Sequence, residues 1–177
     1  RLRRGEVLFH EGDPGDALLA FEDALTSLCL EMARAIAEDG EGATKLLTIH
    51  LSGAPNDDIA RDLAKAVAGS NLTKAAIFGA DPNWGRVLAA VGARIGSRRY
   101  EVDPLRAVVR IQGVTVFEDG GPSLADPLPL KAKMRQPEVL VEVHLGQGPG
   151  TAQAFGCDLT YDYVKVNADY ASLTTAS

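Results

Sequence analysis

The stretch from residue 139 to 145 constrains the fold most. Val139, Val141, Val143 and Leu145 alternate with Leu140, Glu142 and His144, giving an extended segment with one fully apolar face. Such a strand is stable only in a sheet whose apolar face is covered by other elements. A second period-two segment starts at Lys45, with Leu47, Ile49 and Leu51 opposite Leu46, Thr48 and His50. Residues 107–111 and 114–117 flank Gln112-Gly113 as the arms of a hairpin. Residues 151–157 read as a further strand. The loop Gly146-Gln147-Gly148-Pro149-Gly150 reads as its hairpin connection to 139–145, and 74–78 as a short strand.

The cover has to be helical. Leu18, Phe21, Leu25, Leu28, Met32 and Ile36 recur every three or four residues, which is one face of a helix. Asp16 is placed to cap it and Gly40 to supply a left-handed stop. Asn56 is expected to cap a second helix, with Asp57 and Asp58 at its positive end, Ile59, Leu63 and Val67 facing inward, and Gly69 at its close. Residues 83–91 and 161–170 are weaker helical segments. Helices mixed with at least one hairpin point to an α+β domain rather than a doubly wound parallel sheet.

A chain of 177 residues is one domain or a large part of one. With 24 acidic against 18 basic side chains the net charge is −6. That balance argues against a nonspecific grip on nucleic acid or an acidic membrane surface. No apolar run approaches the roughly 20 residues of a membrane helix, and Arg1-Leu2-Arg3-Arg4 lacks the apolar stretch of a secretory signal. The expected setting is the cytoplasm. Cys29 and Cys157 form no disulfide framework and stand apart from other metal-ligand residues, so both are expected to be small buried hydrophobes and no metal is expected.

Several segments are chemically suggestive. In Asp39-Gly40-Glu41-Gly42-Ala43-Thr44-Lys45 the glycines permit close approach of a ligand or backbone, and Glu41 offers a carboxylate to an ammonium group. The alternative is an ordinary helix end with a solvated glutamate. A phosphate loop is excluded, because the order is Thr44-Lys45 and a strand follows. Asp81-Pro82-Asn83-Trp84-Gly85-Arg86 either sets Asn83 and Arg86 on a ligand or forms a rigid corner around the single Trp. His10, His50 and His144 read as structural or surface residues, and Lys131, Lys133 and Arg135 as a solvated face. Residues 157–170 hold three Tyr and three Asp, but their spacing names no reaction.

Three of these segments together resemble one family. They are Asp39-Gly-Glu-Gly-Ala-Thr-Lys45, Lys74-Ala-Ala-Ile-Phe-Gly-Ala-Asp-Pro-Asn-Trp-Gly-Arg86 and Cys157-Asp-Leu-Thr-Tyr-Asp-Tyr-Val-Lys-Val-Asn-Ala-Asp-Tyr170. In order and spacing they are similar to the second (β) chain of glutamate N-acetyltransferase, also called ornithine acetyltransferase. The resemblance covers residues 17–172. It implies part of a layered αββα fold like that of N-terminal-nucleophile hydrolases, assembled from two chains cut from one precursor.

The same resemblance implies a ping-pong enzyme of arginine biosynthesis. A threonine nucleophile takes the acetyl group of N-acetylornithine, and glutamate then removes it. No cofactor is implied, although some members use acetyl-CoA as co-substrate. The implied partner is the α chain of the same precursor, in a heterotetramer of two α and two β chains. Glu41 and Asn167 match the family's substrate-binding residues, and Ser172 matches a third, with Thr174 or Thr175 as substitutes. The nucleophile and oxyanion-hole residues fall before the matched region, so no catalytic residue is assigned.

Residues 1–16 form a separate arm before the portion 17–177. They resemble the opening strand of a cyclic-nucleotide-binding domain, which makes a regulatory nucleotide-binding module one competing reading. An inactive fragment is another.

Overall fold

Nine residues, Leu46–Ala54, form β1, the strand around which the sheet is built. The computed structural model describes residues 15–123 and 126–168. Two compact units are distinguished within it, 1–36 and 37–177. The described part of the first lies within helix α1, Gly15–Glu38, whose last two residues belong to the second. It already includes Asp16, so that residue lies within the helix rather than before it. Its apolar stripe, from Leu18 through Leu25 to Ile36, is exposed, and so is Cys29. The burial expected for Cys29 is therefore not observed.

The second unit carries a six-stranded sheet in the order β4-β3-β2-β5-β1-β6. Here β2 is Val108–Ile111, β3 Val114–Glu118, β4 Gly121–Pro122, β5 Glu138–His144 and β6 Gly150–Cys157. The pair β1–β5 is parallel and every other pairing is antiparallel. The hairpin at Gln112-Gly113 forms as expected, with both residues at positive φ (50° and 75°), the turn whose twist matches paired strands.

One face of the sheet is sealed. Leu47, Ile49 and Leu51 of β1 and Val139, Val141 and Val143 of β5 are each no more than 1% exposed. Over them pack α2, Asp57–Ala68, and α4, Trp84–Arg98, through Leu63, Val67, Val87 and Val91. Each such side chain contributes about 1.5–3 kcal/mol by leaving water. Asn56 caps α2 by accepting from Ile59 N at 3.0 Å, as its position in the sequence leads one to expect. The short α5, Leu128–Lys133, drops Leu130 and Met134 into the same core while Lys131 and Lys133 stay in solvent.

Four expectations change. Residues 74–78 belong to a helix, α3, Asn71–Phe78, and not to a strand. Ser70 caps it by accepting from Thr73 N, and Gly79 N closes it on Ala75 O; a short apolar run carries too few residues for its period to tell helix from strand. Gly40 is not a left-handed stop, since the positive φ falls on Gly42. Gly40 instead lets Cys157 approach, because a Cβ there would lie 2.6 Å from its Sγ, and Cys157 is half-buried rather than buried. Finally, the loop after β5 is no hairpin. β6 pairs with β1 on the side away from β5, so the loop passes over the end of β1. A Cβ on Gly148 would meet Ala54 O at 2.5 Å, a close approach that accounts for the glycines.

Candidate functional site

At the start of β1 and the end of β6 two distant parts of the chain are joined by polar groups. The carboxylate of Asp158, 2% exposed, accepts from Thr44 N at 2.8 Å, Thr44 Oγ1 at 2.5 Å and Lys45 N at 3.0 Å. Its own N–H donates to Lys45 O. Burying a carboxylate is tolerable only with donors of this kind around it. Lys45 Nζ in turn donates to Ile77 O and Phe78 O, the closing carbonyls of α3, at 2.7 and 3.2 Å. A cation there suits the negative end of a helix. Burial pushes the Lys45 ammonium below the ordinary lysine value, more than the nearby Asp158 raises it, and Arg135 adds to the lowering.

Helix α6, Tyr161–Ala168, springs from this junction. Thr160 caps it by accepting from Tyr163 N at 3.0 Å and donates its hydroxyl to Gly42 O at 2.6 Å. Gly42, at φ +66°, sits so close to α6 that a Cβ would lie 2.6 Å from Tyr163 N. Phe78 and Tyr161 meet edge to face with centroids 5.5 Å apart.

The consequence is that Glu41 and Asn167 come together. Asn167 Nδ2 donates to Glu41 Oε2 at 2.8 Å and to Tyr163 O at 3.0 Å. Both side chains are exposed, leaving Asn167 Oδ1 and the second Glu41 oxygen as acceptors for an incoming donor. A carboxylate beside an amide oxygen suits an ammonium group. Ser172, Thr174 and Thr175 lie outside the described residues, as do His10 and residues 1–14.

The other suggestive segments resolve as structure. Asn83 caps α4 through Arg86 N and donates to Asp81 Oδ2, while Arg86 Nη1 donates to Leu72 O. Trp84 stacks on Phe117 at 4.8 Å. The motif is therefore a rigid corner between α3 and α4. His50 and His144 lie on the open face of the sheet, 2.7 Å from Gln153 Nε2 and 3.0 Å from Ser52 Oγ respectively. They line a shallow concavity of about 470 Å³ with Arg110 and Glu142, and neither Glu41 nor Asn167 is among its walls. The Glu41–Asn167 pair is the stronger candidate, because its groups converge and are held by a buried scaffold, whereas the concavity's side chains lie spread over an open sheet. Among the described residues no group of three or more His, Cys, Asp or Glu side chains could hold a metal ion, and no helix is long and apolar enough to cross a membrane.

Asp158 and Thr160 escaped sequence reasoning as site-building residues. The readable signal was a hydroxyl residue after the end of a strand pattern and three positions before Tyr163, the spacing of a helix cap.

Comparison with known proteins decides the family. The model of the ArgJ family matches residues 5–172. The chain belongs to the ArgJ family. The match takes in residues 5–16, part of the arm set apart by its own resemblance. The chain is 47% identical over 153 residues to a protein named glutamate N-acetyltransferase from Methanopyrus kandleri, covering 85% of this chain and 38% of that protein. It is 46% identical over 167 residues to the arginine biosynthesis bifunctional protein ArgJ of Thermus thermophilus, covering 94% of this chain and 42% of that protein. The chain thus spans about two fifths of the length of these curated relatives. The crystal structure of ArgJ from Bacillus halodurans superposes with a TM-score of 0.83 at 38% identity, covering 94% of this chain and 75% of that one.

The ArgJ fold and the α+β class are thereby shared by this chain. The β-roll that a cyclic-nucleotide-binding module needs is not found among the described residues, whose strands make one mixed sheet.

Proposed function

We propose that this chain is the substrate-binding, C-terminal part of an acetyltransferase that moves the acetyl group of N-acetylornithine to glutamate in arginine biosynthesis. One observation carries the reading. Glu41 and Asn167, 126 positions apart, meet at 2.8 Å on an exposed corner as an acceptor pair for an amino-acid ammonium, with Ser172 as the third contact.

In the proposed reaction a threonine hydroxyl outside this chain attacks the acetyl carbonyl. The C–N bond of N-acetylornithine breaks and the released amine takes the proton. The amine of glutamate then attacks the acetyl ester, forms the new amide and frees the hydroxyl. Acetyl-CoA is an alternative donor, and no further cofactor is invoked. The residues of this chain bind and orient the amino acid. They do not form the covalent bond.

The proposed partner is the α chain of the same precursor, in a heterotetramer of two α and two β chains located in the cytoplasm. The exposed apolar stripe of α1 favours such a partner, since contiguous apolar surface marks association. The test is Glu41→Gln in the protein assembled with its threonine-bearing portion. Amino-acid affinity should fall about ten-fold, the loss of one charge-assisted hydrogen bond; unchanged affinity removes Glu41 from the site. The single chain should neither transfer acetyl nor become acetylated, and turnover by it alone overturns the division of labour.

A further inference from the structure

We propose that Asp158, acting with Thr160, is the positioning residue of the Glu41–Asn167 pair; the inference deepens the functional reading above and rests on it for the word substrate. Helix α6 buries none of its residues, and Tyr161, which meets Phe78 edge to face, is its first residue. The placement of Asn167 therefore depends on contacts at the start of the helix, most of them polar. The nearly inaccessible Asp158 carboxylate holds three donors, all on the strand-entry segment that follows Glu41 by three and four positions. Thr160, two residues further on, ties the first turn of α6 to Gly42 O. One short segment, 158–160, therefore grips the loop carrying Glu41 from one side and launches the helix carrying Asn167 from the other.

A carboxylate suits this task better than an amide. Two oxygens that only accept satisfy two backbone N–H groups and one hydroxyl from the same loop. Asparagine could keep the geometry, its Oδ1 taking both backbone N–H groups and its NH₂ donating to the Thr44 hydroxyl, but without the charge that strengthens all three bonds. A buried carboxylate serving stability alone has no need to bridge the two functional segments. Here every one of its hydrogen bonds crosses between them, over 113 or 114 positions.

The experiment uses the full chain with ¹⁵N label on asparagine side chains. The Asn167 amide signal is assigned by its loss in Asn167→Asp, and its hydrogen-bonded position by the shift in Glu41→Gln. In Asp158→Ala, which removes all three acceptor contacts, the Asn167 signal should move to the Glu41→Gln position while the backbone amides of β1 and β5 keep theirs. Thr160→Val should do the same, and Thr160→Ser, which keeps the hydroxyl, should restore it. Where Asp158→Ala fails to fold, the Thr160→Val and Thr160→Ser pair decides.

Titration of the assembled protein with L-glutamate gives the second reading, with about ten-fold weaker binding for Asp158→Ala. An Asn167 signal unmoved by Asp158→Ala or Thr160→Val in a folded chain overturns the proposal. A signal that follows Asp158 in a protein that binds no glutamate supports the positioning role and refutes the substrate-binding reading. The two failures are thus distinct.

Discussion

Replacing Gly42 by alanine should detach α6 while leaving the sheet intact. At φ +66° an alanine is strained by about 1 kcal/mol. Its Cβ would also lie 2.6 Å from Tyr163 N and 3.1 Å from Asp162 C, backbone atoms with no rotamer to escape into. The helix has to move outward, and Thr160 then loses Gly42 O, worth about 1 kcal/mol. The φ strain stays in the loop, whereas overpacking of this kind costs about 1–3 kcal/mol and so favours opening of α6 by about 2 kcal/mol, or about thirty-fold in its equilibrium. Because α6 buries none of its residues, it yields before the loop does. Amide hydrogen exchange measures this directly. Amides in the hydrogen-bonded part of α6 should exchange about thirty-fold faster, and those of β1 and β5 at their original rates. Gly113→Ala is the control, since Gly113 sits at φ +75° with nothing within 4 Å of an added Cβ. It should show the strain alone, felt in the β2–β3 hairpin. Wild-type exchange in α6 of Gly42→Ala, or acceleration spread evenly through the sheet, would refute the close-approach argument.

Asn56→Ala removes the cap from α2, which packs on both β1 and β6; it should cost about 1 kcal/mol and lower the midpoint of thermal unfolding by about 3 °C. Lys45→Met gives a pH signature. The folded ammonium is held below its unfolded value by burial, so the unfolded chain binds the proton more tightly and the penalty is fully present at neutral pH. It is relieved as pH rises toward 10.5. Denaturant titrations should therefore show wild type gaining on Lys45→Met between neutral and alkaline pH, and a constant difference would contradict the assignment.

Much of the fold is legible in the amino-acid sequence. The alternation in 139–145 and 45–51 names the two central strands, because period two with one apolar face has few other solutions. Asn56 and the Gln112-Gly113 turn act through neighbours within three positions, so local spacing reveals them. The failures are of a different kind. Pairing 151–157 with 139–145 as a hairpin assumes that sequence neighbours pair, whereas β1 lies between them. Residues 74–78 form one end of an eight-residue helix, too short for its period to show. In the site, Glu41 and Asn167 enter through resemblance to a family, since neither spacing nor composition joins residues 126 positions apart. Asp158 is visible in the sequence only as one of several acidic residues among 157–170. What sets it apart is burial against three donors, which no local pattern encodes.

The parallel pairing of β1 with β5 and its antiparallel pairing with β6 bear on how the protein is made and destroyed. A nascent chain that has emerged as far as residue 145 already contains β1, β5 and both covering helices. It does not yet contain β6, Asp158 or Asn167. The proposed binding corner is therefore complete only once synthesis has passed Asn167. A protease cutting at exposed α6 would abolish it while sparing the core. The corner proposed to bind the amino acid thereby reports whether synthesis carried through to α6 and whether that helix has stayed whole.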